Sequence, residues 1–335
     1  MRYTKSVLTQ EKIRVGVLRG GPSPEYAVSL ESGAVALAHL ESDRYDSLDI
    51  LIDKTGKWFV RGIEDAPHKI LGKVDAVINA LHGQYGESGG VQEILEAHRV
   101  PFSGSRRLAS ALSLNKALAK RALVKAGLQT PQYRVVTRAE AEESLNDFAL
   151  SLFRSFPQPS MVKPLCGGSS LGVSKVSTPE DLAYALELAF GEDDALLVEE
   201  YIDGKEVTCG VIENFRNEPL YALLPVEVKL PEGAPFLEHH ARREGRFINL
   251  CPTNLSEELK GELQGLARRA HELLGLRHYS SSDFILNPTR GLYFLETDSL
   301  PTLGRSSSFL SSLQAIGCPI PHFLHHLVTL ALDEK

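Results

Sequence analysis

One stretch, from Met161 to Val176, limits what this chain can become. The apolar pair Met161-Val162 runs into Lys163-Pro164, small residues follow through Gly167-Gly168-Ser169-Ser170, and Gly172-Val173-Ser174-Lys175-Val176 returns to an extended pattern. This is strand, loop, strand. Glycines let backbone N–H groups approach an anion closely, and serines add hydroxyl donors. Lys163 can set a point charge against phosphate at the strand edge. Alone, the segment reads equally as a Gly/Ser hairpin with a solvated lysine or as a flexible lid over nucleotide phosphates. It is not a Walker loop, because no Gly-Lys-Ser/Thr closes it.

A chain of 335 residues suggests two or three domains. The net charge of -7 argues against a general nucleic-acid partner. Cys166, Cys209, Cys251 and Cys318 lie far apart, without the spacing of a zinc site or a disulfide framework. Sparse thiols suit a reducing cytoplasm. Met1 to Arg14 lacks the apolar core of a signal peptide, and no run is long enough to span a bilayer. A cytoplasmic protein with no membrane partner is expected.

Lys12 to Arg19 reads as a buried strand that breaks at Gly20-Gly21-Pro22-Ser23-Pro24, with a helix beyond, from near Glu25–Ser29 to about Leu40. Such a loop can bind a ligand at the helix N-terminus. Glu25 sits there, either as a partner for the helix dipole or as the group that binds a substrate ammonium. Ser47 to Ile52, Lys57 to Arg61 and Val74 to Leu81 read as strands. The last ends in His82-Gly83, and glycines recur at Gly86, Gly89 and Gly90 before a helix from Val91 to His98. Two such loops at the carboxyl edge of a parallel sheet would line one crevice. His82 is a plain loop histidine or a ligand contact there.

Val100 to Ser105 marks a domain boundary. Leu108 to Ala126 reads as one helix carrying Lys116, Ala139 to Phe153 as another, and Thr178-Pro179-Glu180-Asp181 as the cap of a third. Leu196 to Ile202, Glu206 to Ile212 and Pro219 to Val228 read as strands. Phe236 to Leu250 holds His239, His240, Arg242, Arg243 and Arg246. It is an exposed loop or a basic loop that closes over phosphates. Ser256 to Leu274 reads as a helix opened by a capping box. Ser282 to Leu286 and Gly291 to Glu296 read as a hairpin that would bring Asp283, Glu296 and Asp298 together as oxygen ligands for Mg²⁺. A helix from about Pro321 to Leu332 ends the chain.

Five motifs, in this order, resemble those of the D-alanine–D-alanine ligase family of the ATP-grasp superfamily. They are Gly20 to Glu25 with Val28-Ser29-Leu30, Ala80-Leu81-His82-Gly83, Ser113-Leu114-Asn115-Lys116, Val162-Lys163-Pro164 with Gly168 to Val173, and Leu295-Glu296. The likeness runs from about Arg14 to Leu332. It implies a three-domain α/β ATP-grasp fold with an N-terminal parallel-sheet (pre-ATP-grasp) domain. Residues 12–107 would form the N-terminal substrate domain, 108–198 the central subdomain with the phosphate loop, and 199–335 the C-terminal domain with the metal site.

The resemblance also implies roles. Lys116 and Lys163 would touch ATP phosphates. Glu199, Tyr201 and Ile202 would hold adenine, and Glu206 the ribose. Asp283, Glu296 and Asp298 would bind Mg²⁺ or Mn²⁺, the last standing where the family usually has asparagine. Glu25 would hold the first amino acid's ammonium through the active-site network, His82 would lie near its carboxylate, and Ser169 would orient a lid tyrosine. Arg242 stands at a lid lysine position. Arg305 lies in the segment that grips the second substrate. The implied reaction phosphorylates one D-alanine and lets a second attack the acylphosphate, making a dipeptide for peptidoglycan precursors. A homodimer is implied.

The sequence departs from the family pattern on the acceptor side. Ser281 replaces an arginine that stabilises transferring phosphate, Thr302 replaces a glycine of the oxyanion hole, and His239-His240-Ala241-Arg242-Arg243 replaces a tyrosine-bearing lid. Arg305 or Arg243 is the candidate to restore the missing charge. A different acceptor, or nucleotide binding without ligation, stays open at this point.

Overall fold

The computed structural model describes residues 11–333, so most of the N-terminal stretch read for a signal peptide lies outside the described residues. The first sheet holds β1 (Ile13–Gly20), followed by α1 (Tyr26–His39), then β2 (Tyr45–Ile52), β3 (Trp58–Val60), β4 (Ile63–Glu64), α2 (Pro67–Leu71) and β5 (Ala76–Asn79). Its order is β4-β3-β2-β1-β5, with β1 parallel to both β2 and β5. A parallel strand between two others is covered on both faces, which is why Val15, Val17 and Leu18 form an apolar run and are fully buried. α3 (Gln84–Glu87) and α4 (Gly90–Ala97) follow β5.

α5 (Arg107–Leu114) and α6 (Lys116–Lys125) stand where one helix was expected from Leu108 to Ala126. The break is at Asn115. Its backbone is extended (φ -81°, ψ 100°), and its side chain accepts from the Leu118 N–H at 3.0 Å. Asparagine favours this capping position over a helix interior. The Lys116 N–H then donates to the Leu165 carbonyl at 3.1 Å, which ties the start of α6 to the phosphate loop.

The second sheet contains β6 (Tyr133–Thr137), α7 (Leu145–Ser155), β7 (Ser160–Pro164), β8 (Ser174–Val176), α8 (Pro179–Phe190) and β9 (Ala195–Glu200), in antiparallel order β6-β9-β7-β8. The helix expected from Ala139 starts later. A capping box between Thr137 and Glu140 closes a separate 3₁₀ turn, and Ser144 caps α7. At α8 the expected cap forms, Thr178 and Asp181 bonding reciprocally with Pro179 just inside.

The third sheet contains β10 (Lys205–Phe215), β11 (Glu218–Ala222), β12 (Val226–Lys229), α9 (His239–Glu244), β13 (Ile248–Leu250), α10 (Glu257–Leu273), β14 (Tyr279–Asn287) and β15 (Gly291–Asp298). Its path is β13-β12-β10-β14-β15, with β11 also on β10. The strand expected from Pro219 to Val228 is two strands. Pro225 lacks the N–H that a continuing ladder needs. The basic segment from Phe236 to Leu250, read as a loop, contains α9 and β13. Ser256 caps α10 through the Leu259 N–H at 3.3 Å, but Leu259 has no carboxylate to return the bond, so the expected box is a simple cap.

α11 (Ser308–Ala315), not read from the sequence, and α12 (Ile320–Asp333) complete the described chain. Phe309, Phe323 and Leu327 pack with Val15 and Val17 of the first sheet and Tyr279 of the third in one buried cluster. No single helix among the described residues is long and apolar enough to cross a membrane.

Candidate functional site

A cleft of about 980 Å³ opens between the loops after β1 and β5, the β7–β8 loop, the end of β9, α9, and the β14–β15 pair with residues 299–308 behind it. The two glycine loops meet there as expected. Gly83 has φ +74°, and a Cβ on it would lie 2.2 Å from Ser23 Oγ and 2.7 Å from Glu25 Oε2. Glu25, at the start of α1, is buried and accepts a hydrogen bond from Ser169 Oγ. Ser169 and Ser170 sit at φ 52° and 56°, left-handed values that side chains other than glycine rarely adopt. The Ser169 carbonyl accepts from His239 Nδ1 at 2.9 Å, so α9 of the basic segment closes onto the phosphate loop.

His82 is buried, with Nε2 2.8 Å from Ser32 Oγ. Burial pushes its imidazole below the usual value, against the pull of Glu25 and Asp298. Nearby Glu87, which sequence reading passed over, is buried and accepts from the Gly83 N–H at 3.2 Å. Burial, with Glu25 adding to it, holds its carboxyl well above the ordinary range.

The two lysines expected at phosphate face the acids expected at metal. Lys116 Nζ lies 3.0 Å from Glu296 Oε2 and also donates to the Gly167 carbonyl of the phosphate loop. Burial opposes the Lys116 charge, but Glu296 outweighs it and the ammonium is stabilised. Glu296 is likewise opposed by burial, yet Lys116 and Lys163 hold it down at about 2. Lys163 pairs with Glu199 Oε1, and Lys120 stands 3.1 Å from Glu199 Oε2. Lys120 was also passed over. The signal for it was its spacing four residues after Lys116, which puts both on one face of α6.

Asp283 and Glu296 are directly opposed across β14 and β15. Burial, then Glu296, lifts Asp283 to about 6. Two acids so placed suit Mg²⁺, which takes one or two carboxylates plus substrate phosphates. Asp298 is not part of that pair. It lies two residues further along β15, opposite Ser281, and accepts from the Leu300 N–H at 2.8 Å. Residues two apart on a strand stand about 7 Å apart on one face, so Asp298 is the next side chain beside Glu296. The charges acting most on Asp298 are Glu87, His82 and Glu25. Among the described residues no group of three His, Cys, Asp or Glu side chains is placed to hold a metal ion. Of the three acids expected at the metal, Asp283 and Glu296 are paired across the strands and Asp298 follows on the same face of β15.

Tyr201 and Ile202 line the cleft beyond β9, and Ile202 packs with Ile285, Tyr293 and Leu295. Glu206 accepts from the Leu237 N–H at 3.3 Å. Burial raises Glu206, and Arg242 opposes the rise. Arg242 also lines the cleft, with its Nε buried and lacking a hydrogen-bond partner. Arg305 does not line it. Its N–H is pinned to Glu31 Oε1 at 3.0 Å, and the residue is exposed beside a separate groove. The side chain of Arg243 is outside the described part of the structure. Ser281 makes a 2.8 Å hydroxyl contact with Thr208.

The family model described as D-ala D-ala ligase C-terminus matches residues 122–329. A D-alanine–D-alanine ligase of Geobacter sulfurreducens is 37% identical over 86% of this chain and 84% of its own. That of Syntrophobacter fumaroxidans is 34% identical over 98% and 100%. Among solved structures, D-alanyl-alanine synthetase A from Vibrio cholerae superposes with a TM-score of 0.82 at 27% identity, over 97% of this chain and 99% of that one. The expected ATP-grasp architecture is thereby met. This chain belongs to the D-alanine–D-alanine ligase family.

Proposed function

We propose that the cleft joins two amino acids at the expense of ATP, with D-alanine as donor and acceptor, and so supplies a dipeptide for peptidoglycan precursors. One observation carries this reading. Lys116 and Lys163 face Asp283 and Glu296 within one cleft, although all four are distant in sequence. The lysines neutralise phosphate charge. Asp283 and Glu296 would hold Mg²⁺, which would supply charge to offset that of the phosphates when bound. Tyr201 and Ile202 offer an apolar slot for the base, and Glu206 an acceptor for the ribose. Glu25 and His82 place the first amino acid, and Ser169 ties Glu25 to the phosphate loop. The helix α9 excludes water from the acylphosphate.

Residues 12–107 serve the first substrate on this reading, and 108–198 and 199–335 clamp the nucleotide. A cytoplasmic homodimer is the proposed working form, as the family resemblance suggests. A second reading keeps the chemistry and changes the acceptor. It is favoured by Ser281 bonding to Thr208 and by Arg305 lying outside the cleft. Incubation with ATP, Mg²⁺ and D-alanine should release phosphate and form dipeptide. Turnover only with another amino acid or a hydroxy acid selects the second reading, and no turnover with any acceptor rejects both.

A further inference from the structure

Lys120 is 1% exposed and is not part of the cleft wall. Its ammonium donates to Thr130 Oγ1 at 2.8 Å and the Phe294 carbonyl at 3.4 Å, and makes an ion pair with Glu199 Oε2 at 3.1 Å. Glu199 is equally buried, and its other oxygen contacts Lys163. Lys163 is only half-buried and lines the cleft. One carboxylate thus lies between two ammonium groups, one locked behind the wall and one at its surface.

We propose that Lys120 is a positioning residue that cancels the Glu199 charge permanently, so that Lys163 can leave Glu199 and meet nucleotide phosphate. The inference rests on the nucleotide reading of the cleft. Without Lys120, Lys163 and Glu199 form a neutral pair, and drawing Lys163 toward phosphate strands a buried carboxylate. With Lys120 in place the carboxylate keeps a partner, and the pair of lysines leaves one positive charge for the ligand. Lys120 cannot follow Lys163, because Thr130 and Phe294 fix its ammonium. Burial pulls the Lys120 ammonium toward its neutral form and Lys163 adds to that, while Glu199 resists both. The carboxylate and the buried lysine therefore depend on each other.

The test compares the wild type, Lys120→Met, Glu199→Gln and the double variant. Each is titrated with Mg²⁺ and ATP, and with Mg²⁺ and inorganic triphosphate, which removes any contact to the base. Lys120→Met is expected to weaken both ligands at least about tenfold and to raise KM for ATP, with kcat at saturating ATP within about threefold. In the Glu199→Gln background no carboxylate needs a partner, so Lys120→Met should change affinity by less than about threefold. The double variant buries no unpaired charge and keeps the test open if Lys120→Met does not fold. Equal affinity of wild type and Lys120→Met overturns the inference. A double variant much weaker than Glu199→Gln also overturns it, because Lys120 then acts through packing alone. Failure of the wild type to bind either ligand overturns the nucleotide reading itself, and this inference with it.

Discussion

The end of the cleft around Lys116, Lys163, Asp283 and Glu296 is built from buried and half-buried charges, and the end around Ser281 and residues 299–308 is built from hydroxyls. At the first, Lys116 and Lys163 line the cleft beside Glu296 and Glu199, Lys120 stands behind the wall, and each ammonium has a carboxylate within bonding distance. At the second stand Ser281, Thr302, Ser306, Ser307 and Ser308, with no arginine among them. Buried charges that hold one another are costly to disturb, because removing one strands its partner. Hydroxyls are small, neutral and exchangeable. The contrast separates the part of the site that handles the shared ligand from the part where substrate choice can drift.

Substitutions at the charged end should therefore cost most. Lys116→Met is expected to lower kcat/KM by about 10²–10³, the usual loss for one donor to developing charge. A fall of less than about tenfold in steady-state rates would break the comparison at its stronger side. Asp283→Asn should weaken metal activation about 10–100-fold, read from the Mg²⁺ dependence of turnover, and chelation of divalent metal should abolish turnover.

The hydroxyl end should respond in the opposite sense. Ser281→Arg combined with Thr302→Gly is expected to raise the rate with D-alanine about tenfold, a partial return of what one preorganised donor supplies. A fall with D-alanine, alongside loss of activity on another acceptor, would show that the hydroxyls are themselves a specificity surface. The smallest effect belongs to the lid. His239→Ala removes one 2.9 Å contact to Ser169 and should raise KM for ATP about threefold with little change in kcat.

The charged end was legible because lysines and acids at strand ends carry local pattern. Lys163 precedes a glycine loop, Asp283 and Glu296 sit in a hairpin whose turn is plain in Asn287-Pro288, and Lys116 was marked by the family resemblance of Ser113-Leu114-Asn115-Lys116. Lys120 carried only the weak signal of its spacing from Lys116. A lysine in an Ala-Leu-Lys helix normally faces water, and only the packing of α6 against the ends of β9 and β15 buries it. Arg305 misled for a related reason. Nearness in sequence to the site did not fix its place, since its backbone N–H is held by Glu31 and the residue stands exposed beside a separate groove. The break at Asn115 and the split at Pro225 had local signals, an N-cap residue and a missing donor, that were outweighed by longer apolar patterns. α11 lies in a serine-rich segment whose helix is held by Phe309 and Leu313 in the shared core, a tertiary cause that no local pattern announces.

The central claim, that Lys116 and Lys163 clamp a magnesium triphosphate against Asp283 and Glu296, is tested most directly by a crystal structure with Mg²⁺ and a non-hydrolysable ATP analogue. The expected result has both lysines on phosphate oxygens, the cation on Asp283 and Glu296, and Glu199 retained by Lys120 alone. Nucleotide seated elsewhere, or in the cleft with both lysines still on their carboxylates, would contradict it.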